Sequence, residues 1–265
     1  MMRRTDINAT WCISSNVGDR ITPFLVEQLT GRPPIYAGRR EGRHLVGCGS
    51  ILNWAEPENI VWGAGLASFT DEVNPAADIR CVRGPLSRAR AMACGCAVPD
   101  VCGDPALLVP RFAPSSAAVP GRIGVVPHYV DHQRASWWFG GDNAREEIVI
   151  LDVLQDVRAF VAELTTCCTV FSSSLHGLIL ADAYGIPNAW VRMGEDVEGD
   201  DMKFYDHLAA VGRPVAPPID LAGAAEAAAI VAGAAARVAD RYVASVSEVA
   251  GRVHDAFPVR NGVLK

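Results

Sequence analysis

The run Ser172-Ser173-Ser174-Leu175-His176-Gly177 combines residue types that suit chemistry on an anion. A β-prone run, Thr169-Val170-Phe171, precedes it, and an apolar, helix-prone run over residues 178–183 follows. The pattern predicts a strand that ends in small hydroxyl residues just before a helix begins. The first turn of a helix presents unpaired N–H groups and a positive partial charge, and it therefore attracts anions. A histidine at that place can give or take a proton near neutral pH. The competing reading is a plain serine N-cap at an ordinary strand–helix junction.

Other elements must bring partners to this point. Leu45-Val46-Gly47-Cys48-Gly49-Ser50, Ile60-Val61-Trp62-Gly63-Ala64-Gly65 and Ile79-Arg80-Cys81-Val82-Arg83-Gly84 each read as a short buried strand running into small residues. Parallel sheets place ligand crevices at such strand ends. Pro85 suits the first turn of a helix that runs to about Ala93. A further strand is expected over 99–102, and Gly103-Asp104-Pro105 should turn into another helix. After a Pro- and Ala-rich linker at 110–121 come strands at 122–128, 148–151, 169–171 and 188–191, with helical spacing at 153–164 and 178–184. Alternation of this kind predicts an α/β fold with parallel sheets, in two Rossmann-like domains facing a central cleft. The expected boundaries are 1–113 for the first domain and 120–265 for the second, which carries the serine–histidine motif and the terminal helices. The tail from Pro258 is expected to fray.

The chain has 265 residues, half of them hydrophobic, with a net charge of -6 and a pI near 5.5. That balance argues against a nucleic-acid binder, whose footprint is usually basic. Met1-Met2-Arg3-Arg4 leads into no apolar stretch, so no secretory signal is expected. The alanine-rich region 221–238 contains Glu226 and Arg237 and reads as a soluble helix. None of the eight cysteines forms a C-x-x-C pair. Cys94 and Cys96 are a faint metal hint; a reducing cytoplasm and no resident metal are the expectation.

Four segments in order carry a resemblance. Asn16-Val17-Gly18-Asp19, Val82-Arg83-Gly84-Pro85, Gly103-Asp104-Pro105-Ala106 and Ser173-Ser174-Leu175-His176-Gly177 resemble motifs of the polysaccharide pyruvyl transferases. In the third residue of its arginine motif the chain has Gly84, where the family often has aspartate. Val61-Trp62-Gly63 and Val126-Pro127-His128, with the short chain, look closest to the xanthan ketal pyruvate transferase type. The resemblance implies a GT-B-like fold, phosphoenolpyruvate as donor, and a sugar acceptor that receives pyruvate as a cyclic ketal. It implies no cofactor, because no redox step is needed. Acceptors in this family are often lipid-linked, which implies work in the cytoplasm at the inner face of the membrane, with peripheral association.

On that reading Arg83 is the anion clamp, its planar fork suited to carboxylate or phosphate, against an ordinary ion pair. His176 is the proton carrier. Ser173 and Ser174 donate to phosphate oxygens or simply cap the helix. Asp104 and Asp19 precede predicted helices, and each reads equally as an N-cap; Asn16, Gly18 and Asp19 together are candidates for substrate contact. His128 ends a strand facing the cleft. Lys203 opens Lys203-Phe204-Tyr205-Asp206, which resembles a segment of short family members, although His207 stands where a tyrosine would follow. Trp137 and Trp138 could stack on a sugar ring. A nucleotide-sugar glycosyltransferase and a non-catalytic anion-binding relative are the rival functions.

Overall fold

The computed structural model describes residues 6–13, 16–221, 226–242, 244–260 and 263–264. Two all-parallel sheets of five strands each organise them. The first holds β1 (Asn8–Thr10), β2 (Ile35–Tyr36), β3 (Leu45–Val46), β4 (Ile60–Trp62) and β5 (Asp78–Cys81), in the order β2-β1-β3-β4-β5. The second holds β6 (Ile123–Val126), β7 (Ile148–Ile150), β8 (Thr169–Ser172), β9 (Asn188–Arg192) and β10 (Ile219–Asp220), in the order β7-β6-β8-β9-β10. The two orders are the same permutation. In each sheet the winding reverses between the first and third strands, β1 and β3 in one and β6 and β8 in the other. Open parallel sheets bind ligands at this switch point, outside the carboxyl ends of the strands. The layout is the expected α/β one with two Rossmann-like halves.

Helices hold these sheets in place. α1 (Val17–Thr30) starts at Asn16, whose side chain accepts the Asp19 N–H, and stops at Gly31 in the left-handed region. Its Ile21, Leu25 and Val26 recur at helical spacing and are fully buried. α2 (Pro85–Ala93) and α3 (His132–Phe139) follow. α4 (Val157–Leu164) is capped by Asp156, which accepts two backbone N–H groups. α5 (Leu175–Ala183) comes after β8 and α6 (Met202–Ala210) after β9. α7 (Ala227–Arg241) and α8 (Val246–Asp255) complete the set.

Three apolar clusters form the core. One belongs to the first sheet and includes Val46, Leu52, Val61 and Met202. Another belongs to the second and includes Val125, Phe171, Val191 and Val231. The largest is shared: Val17, Leu107 and Leu108 pack with Val153, Phe160 and Leu178 across the two halves. α8 leaves the second half and returns to the first. Its Val253 carbonyl accepts the Trp62 indole N–H at 2.8 Å, and Phe257 lies against the Trp62 ring.

Several local expectations shift. The strand expected over 99–102 supplies one bridge, Val82 with Cys102. The helix after Asp104 is a 3-10 segment, Pro105–Arg111, opened and interrupted by proline. The expected linker loses Pro110 and Arg111 to that segment, leaving residues 114–121 as its exposed part. Val259–Arg260 pairs antiparallel with Val263–Leu264, so the tail has partners where fraying was expected. Residues 222–225 of the expected alanine-rich helix lie outside the described residues.

Candidate functional site

The two switch points meet at His176. This residue is the second of α5, inside the first turn, and it is 9% exposed. The first turn of α1 faces it: a Cβ built on Gly18 would fall 2.1 Å from His176 Nδ1. Only a residue without a side chain allows that approach. Asn16 and Asp19 frame Gly18. The Asn16 amide donates to Asp19 Oδ2 at 2.5 Å, and Asn16 Oδ1 accepts the Asp19 N–H at 3.3 Å. Asn16 therefore caps α1 with Asp19 held against it, and Gly18 presses on the histidine.

On the other side of the imidazole stands Cys48, in the turn after β3. Its Sγ lies 3.1 Å from His176 Nε2 and 2.9 Å from Asp104 Oδ1. Asp104 is fully buried and caps the 3-10 segment through Oδ1, which accepts the Ala106 N–H. Its Oδ2 has no hydrogen-bond partner and lies 3.8 Å from His176 Nε2. A buried carboxylate oxygen without a donor is costly and marks a place built for something else. Cys48, Asp104 and His176 are the one set among the described residues whose ligand atoms could surround a metal ion. The faint hint from Cys94 and Cys96 therefore moves to a different cysteine.

Cationic groups gather around this point from both halves. Burial depresses His176, reinforced by the nearby charges of Arg83, His207 and Lys203 and opposed by Asp104. His128 is lowered to about 4 by burial and by the same Lys203 and His176, and its buried Nδ1 has no partner. Lys203 is lowered to about 8 by burial and by Arg83, and its ammonium donates to the Glu198 carbonyl at 2.6 Å. Mutual repulsion of this kind is relieved by an anion. Lys203 reaches the site from α6, which is fixed against β9 by Phe204 stacked on Trp190, ring centroids 4.3 Å apart.

Arg83 is not at the mouth of the cleft. It is fully buried beneath the site, and its fork is engaged: Nε donates to Asp206 Oδ2 at 3.1 Å, Nη1 to Ser50 Oγ at 2.9 Å and Nη2 to the Leu66 carbonyl at 2.6 Å. The lack of a side chain at Gly65 makes the room, since a Cβ there would fall 2.3 Å from Arg83 Cζ. Asp206 also accepts the Leu86 and Ser87 N–H groups and the Ser87 hydroxyl, so α6 is bound to the start of α2. Arg83 thus contributes charge and holds Ser50, rather than standing free for a ligand.

The serines divide. Ser173 Oγ donates to the buried Asp131 at 2.7 Å and accepts the His128 N–H at 2.9 Å, so its hydroxyl is committed to positioning the His128 loop. Ser174 sits at the N-cap of α5 but makes no side-chain cap bond, which leaves its hydroxyl available. Trp137 and Trp138 part company: Trp138 joins the core of the second half, and Trp137 is 74% exposed. A cavity of about 210 Å³ adjoins the site, lined by Ser173, Trp190, Arg192, Glu195, Asp201 and Phe204 among others. A larger one, about 1000 Å³, is lined by residues such as Asp78, Arg80, Val101 and Arg252 and shares no residue with the site. Sequence reasoning missed Cys48, Asp131 and Asp206. Cys48 carried a usable signal, a cysteine between two glycines at a strand end, and Asp206 lay in the segment already noted for Lys203; Asp131 carried none.

The profile of the family described as polysaccharide pyruvyl transferase matches residues 45–194, more than half of the chain. Arg83, Asp104, His128 and His176 fall within the match; Gly18 and Lys203 fall outside it. An uncharacterized protein of Acanthamoeba polyphaga mimivirus is 29% identical over 206 residues, which cover 74% of this chain and 71% of that protein. No solved structure gives a significant match. No helix among the described residues is long and apolar enough to cross a membrane. With the match spanning more than half of the chain and holding six of its expected site residues, Ser173 and Ser174 included, the chain belongs to the polysaccharide pyruvyl transferase family.

Proposed function

We propose that the protein transfers pyruvate from phosphoenolpyruvate to a sugar of a polysaccharide or glycolipid precursor and closes it as a cyclic ketal. One observation carries the reading: His176, His128 and Lys203 are held below their usual proton affinities by burial and then by neighbouring positive charge, Arg83 and Lys203 acting on His176, Lys203 and His176 on His128, and Arg83 on Lys203. Such a cluster suits a small ligand with two anionic groups. Lys203 and the N-terminal N–H groups of α5 take the phosphate or the carboxylate, Ser174 adds a hydroxyl, and Arg83 supplies charge from below. The neighbouring cavity, with Glu195 and Arg192 on its wall, takes the acceptor sugar.

Ketal formation needs a proton on the methylene carbon, attack by a sugar hydroxyl on the central carbon and departure of phosphate; a second hydroxyl then closes the ring. Burial and the neighbouring positive charges keep His176 neutral, a base. A bound dianion raises its proton affinity and turns it into the acid that protonates the methylene carbon. The donor thus arms its own catalyst. In this reading the halves form a GT-B-type cleft and the enzyme works in the cytoplasm, at the inner face of the membrane, on lipid-linked acceptors.

The test is incubation with phosphoenolpyruvate and a panel of hexosides, followed by mass spectrometry and phosphate assay. Addition of one pyruvyl unit with release of one phosphate is expected. Release of nucleotide from a sugar nucleotide, with phosphoenolpyruvate untouched, would refute the proposal.

A further inference from the structure

We infer that Cys48 Sγ, Asp104 Oδ2 and His176 Nε2 form a three-ligand site for a zinc-class divalent cation, and that filling it silences the enzyme by occupying the nitrogen that handles the proton. The inhibitory half rests on the pyruvyl-transfer reading; the metal-binding half stands on geometry alone.

The three ligand atoms lie within 4.8 Å of one another. Sγ and Nε2 are 3.1 Å apart, and Nε2 and Oδ2 are 3.8 Å apart. A tetrahedral zinc ion, with bonds of about 2.0–2.3 Å, holds its ligands roughly 3–4 Å apart. Only small movements are needed. Thiolate, imidazole and carboxylate together are a borderline-soft set, which selects zinc over magnesium or calcium. Three protein ligands and one open position are also the arrangement that leaves room for water or a substrate atom.

The orphaned oxygen is the second observation. Asp104 Oδ2 is buried with no donor, while Oδ1 is held by the Ala106 N–H. The carboxylate is therefore pinned by one oxygen with the other turned toward the histidine. Its two companions are pinned as well. The Cys48 N–H donates to Thr22 Oγ1 at 2.8 Å, and the His176 ring is pressed against Gly18. Such outer contacts fix ligand direction. On metal binding the thiol gives its proton to solvent, and thiolate and carboxylate together balance the dication. Asp206 already matches Arg83, so Lys203 is the nearby cation that opposes the ion, one charge against two.

The probe is cobalt. The full chain, stripped with chelator, is titrated with Co²⁺ and followed by absorption. Wild type is expected to bind one equivalent with a thiolate-to-cobalt charge-transfer band that zinc abolishes. Cys48→Ala should lack the band, and Asp104→Asn should bind Co²⁺ about 10–100-fold more weakly. Cys48→Ser, nearly the same size as the native residue, guards against a folding defect in the alanine variant. Absence of the band in folded wild type, or its persistence in both Cys48 variants, overturns the site. For the inhibitory half, pyruvyl transfer by each protein is measured against its own zinc-free rate. Zinc should stop wild type reversibly, and Cys48→Ala should need at least about tenfold more of it. Wild type that turns over normally at saturating zinc overturns inhibition. Cobalt binding with no pyruvyl transfer in metal-free enzyme would instead refute the transfer reading and leave the metal site standing.

Discussion

The two sheets share one strand order, yet their switch points carry opposite chemistry. The first turn of α1 and the turn after β3 offer Gly18, Cys48 and, beside them, Asp104: a bare backbone, a thiol and a carboxylate. The turns after β6 and β8 offer His128 and His176 at a helix start. The second half therefore attracts an anion, and the first half shapes and opposes that attraction at close range. A duplicated architecture does not imply duplicated roles. On the proposed function one half supplies the reacting groups and the other the surface that orients them.

Breaking the joint between the halves should have the largest effect. Asp206→Ala leaves the buried Arg83 guanidinium without its counter-charge, and loss of one member of a buried pair costs about 3–5 kcal/mol. A denaturant melt should show that loss, with activity falling as the fold does; an unchanged midpoint would mean the halves are held by their shared apolar core alone. Next comes the reacting half. His176→Ala should lower turnover by on the order of a hundredfold or more while retaining most donor affinity. Near-normal turnover removes this imidazole from the chemistry.

The orienting half can be tested without touching a reacting group. Gly18→Ala places a methyl where His176 Nδ1 now lies, and the ring must move. A displacement of about 1 Å can cost up to a hundredfold, so a turnover loss of roughly 10–100-fold is expected with melting little changed. Equal loss of turnover and stability would make Gly18 a packing residue only. The mildest test is pH. Lys203 is lowered to about 8 by burial and Arg83, and a bound anion favours its charged form. Donor affinity should be full below pH 8 and should weaken above it by about tenfold per pH unit. Lys203→Met should bind the donor more weakly and lose this alkaline limb; a limb that survives belongs to another group.

Much of the second half was readable because its strands are apolar runs bounded by glycine, proline and small hydroxyls. β6, β8 and β9 lie within a residue or two of their expected places. The first half was harder. β1 and β2 are three and two residues long, and no periodicity can be read from so few positions. His176 was found as a motif at a helix start; what shifts is the first residue of that helix, Leu175, ahead of the apolar run from 178 that marked it in the sequence. Arg83 was found and misplaced. Its burial depends on Asp206, 123 residues away, and on the space left at Gly65. Cys48 was passed over because a cysteine among apolar residues usually packs. Long-range pairing of single polar residues leaves no periodic trace, and that is where the reading failed.

The return of α8 has a consequence for biogenesis. Trp62 belongs to the fourth strand, but its indole N–H is satisfied only by the carbonyl of residue 253. During synthesis on the ribosome the first sheet must therefore wait, with that face uncovered, until residue 253 has emerged. α8 acts as a latch on the earlier-made first sheet, and clipping it away should leave a nascent-like first half that exposes Trp62 to chaperones.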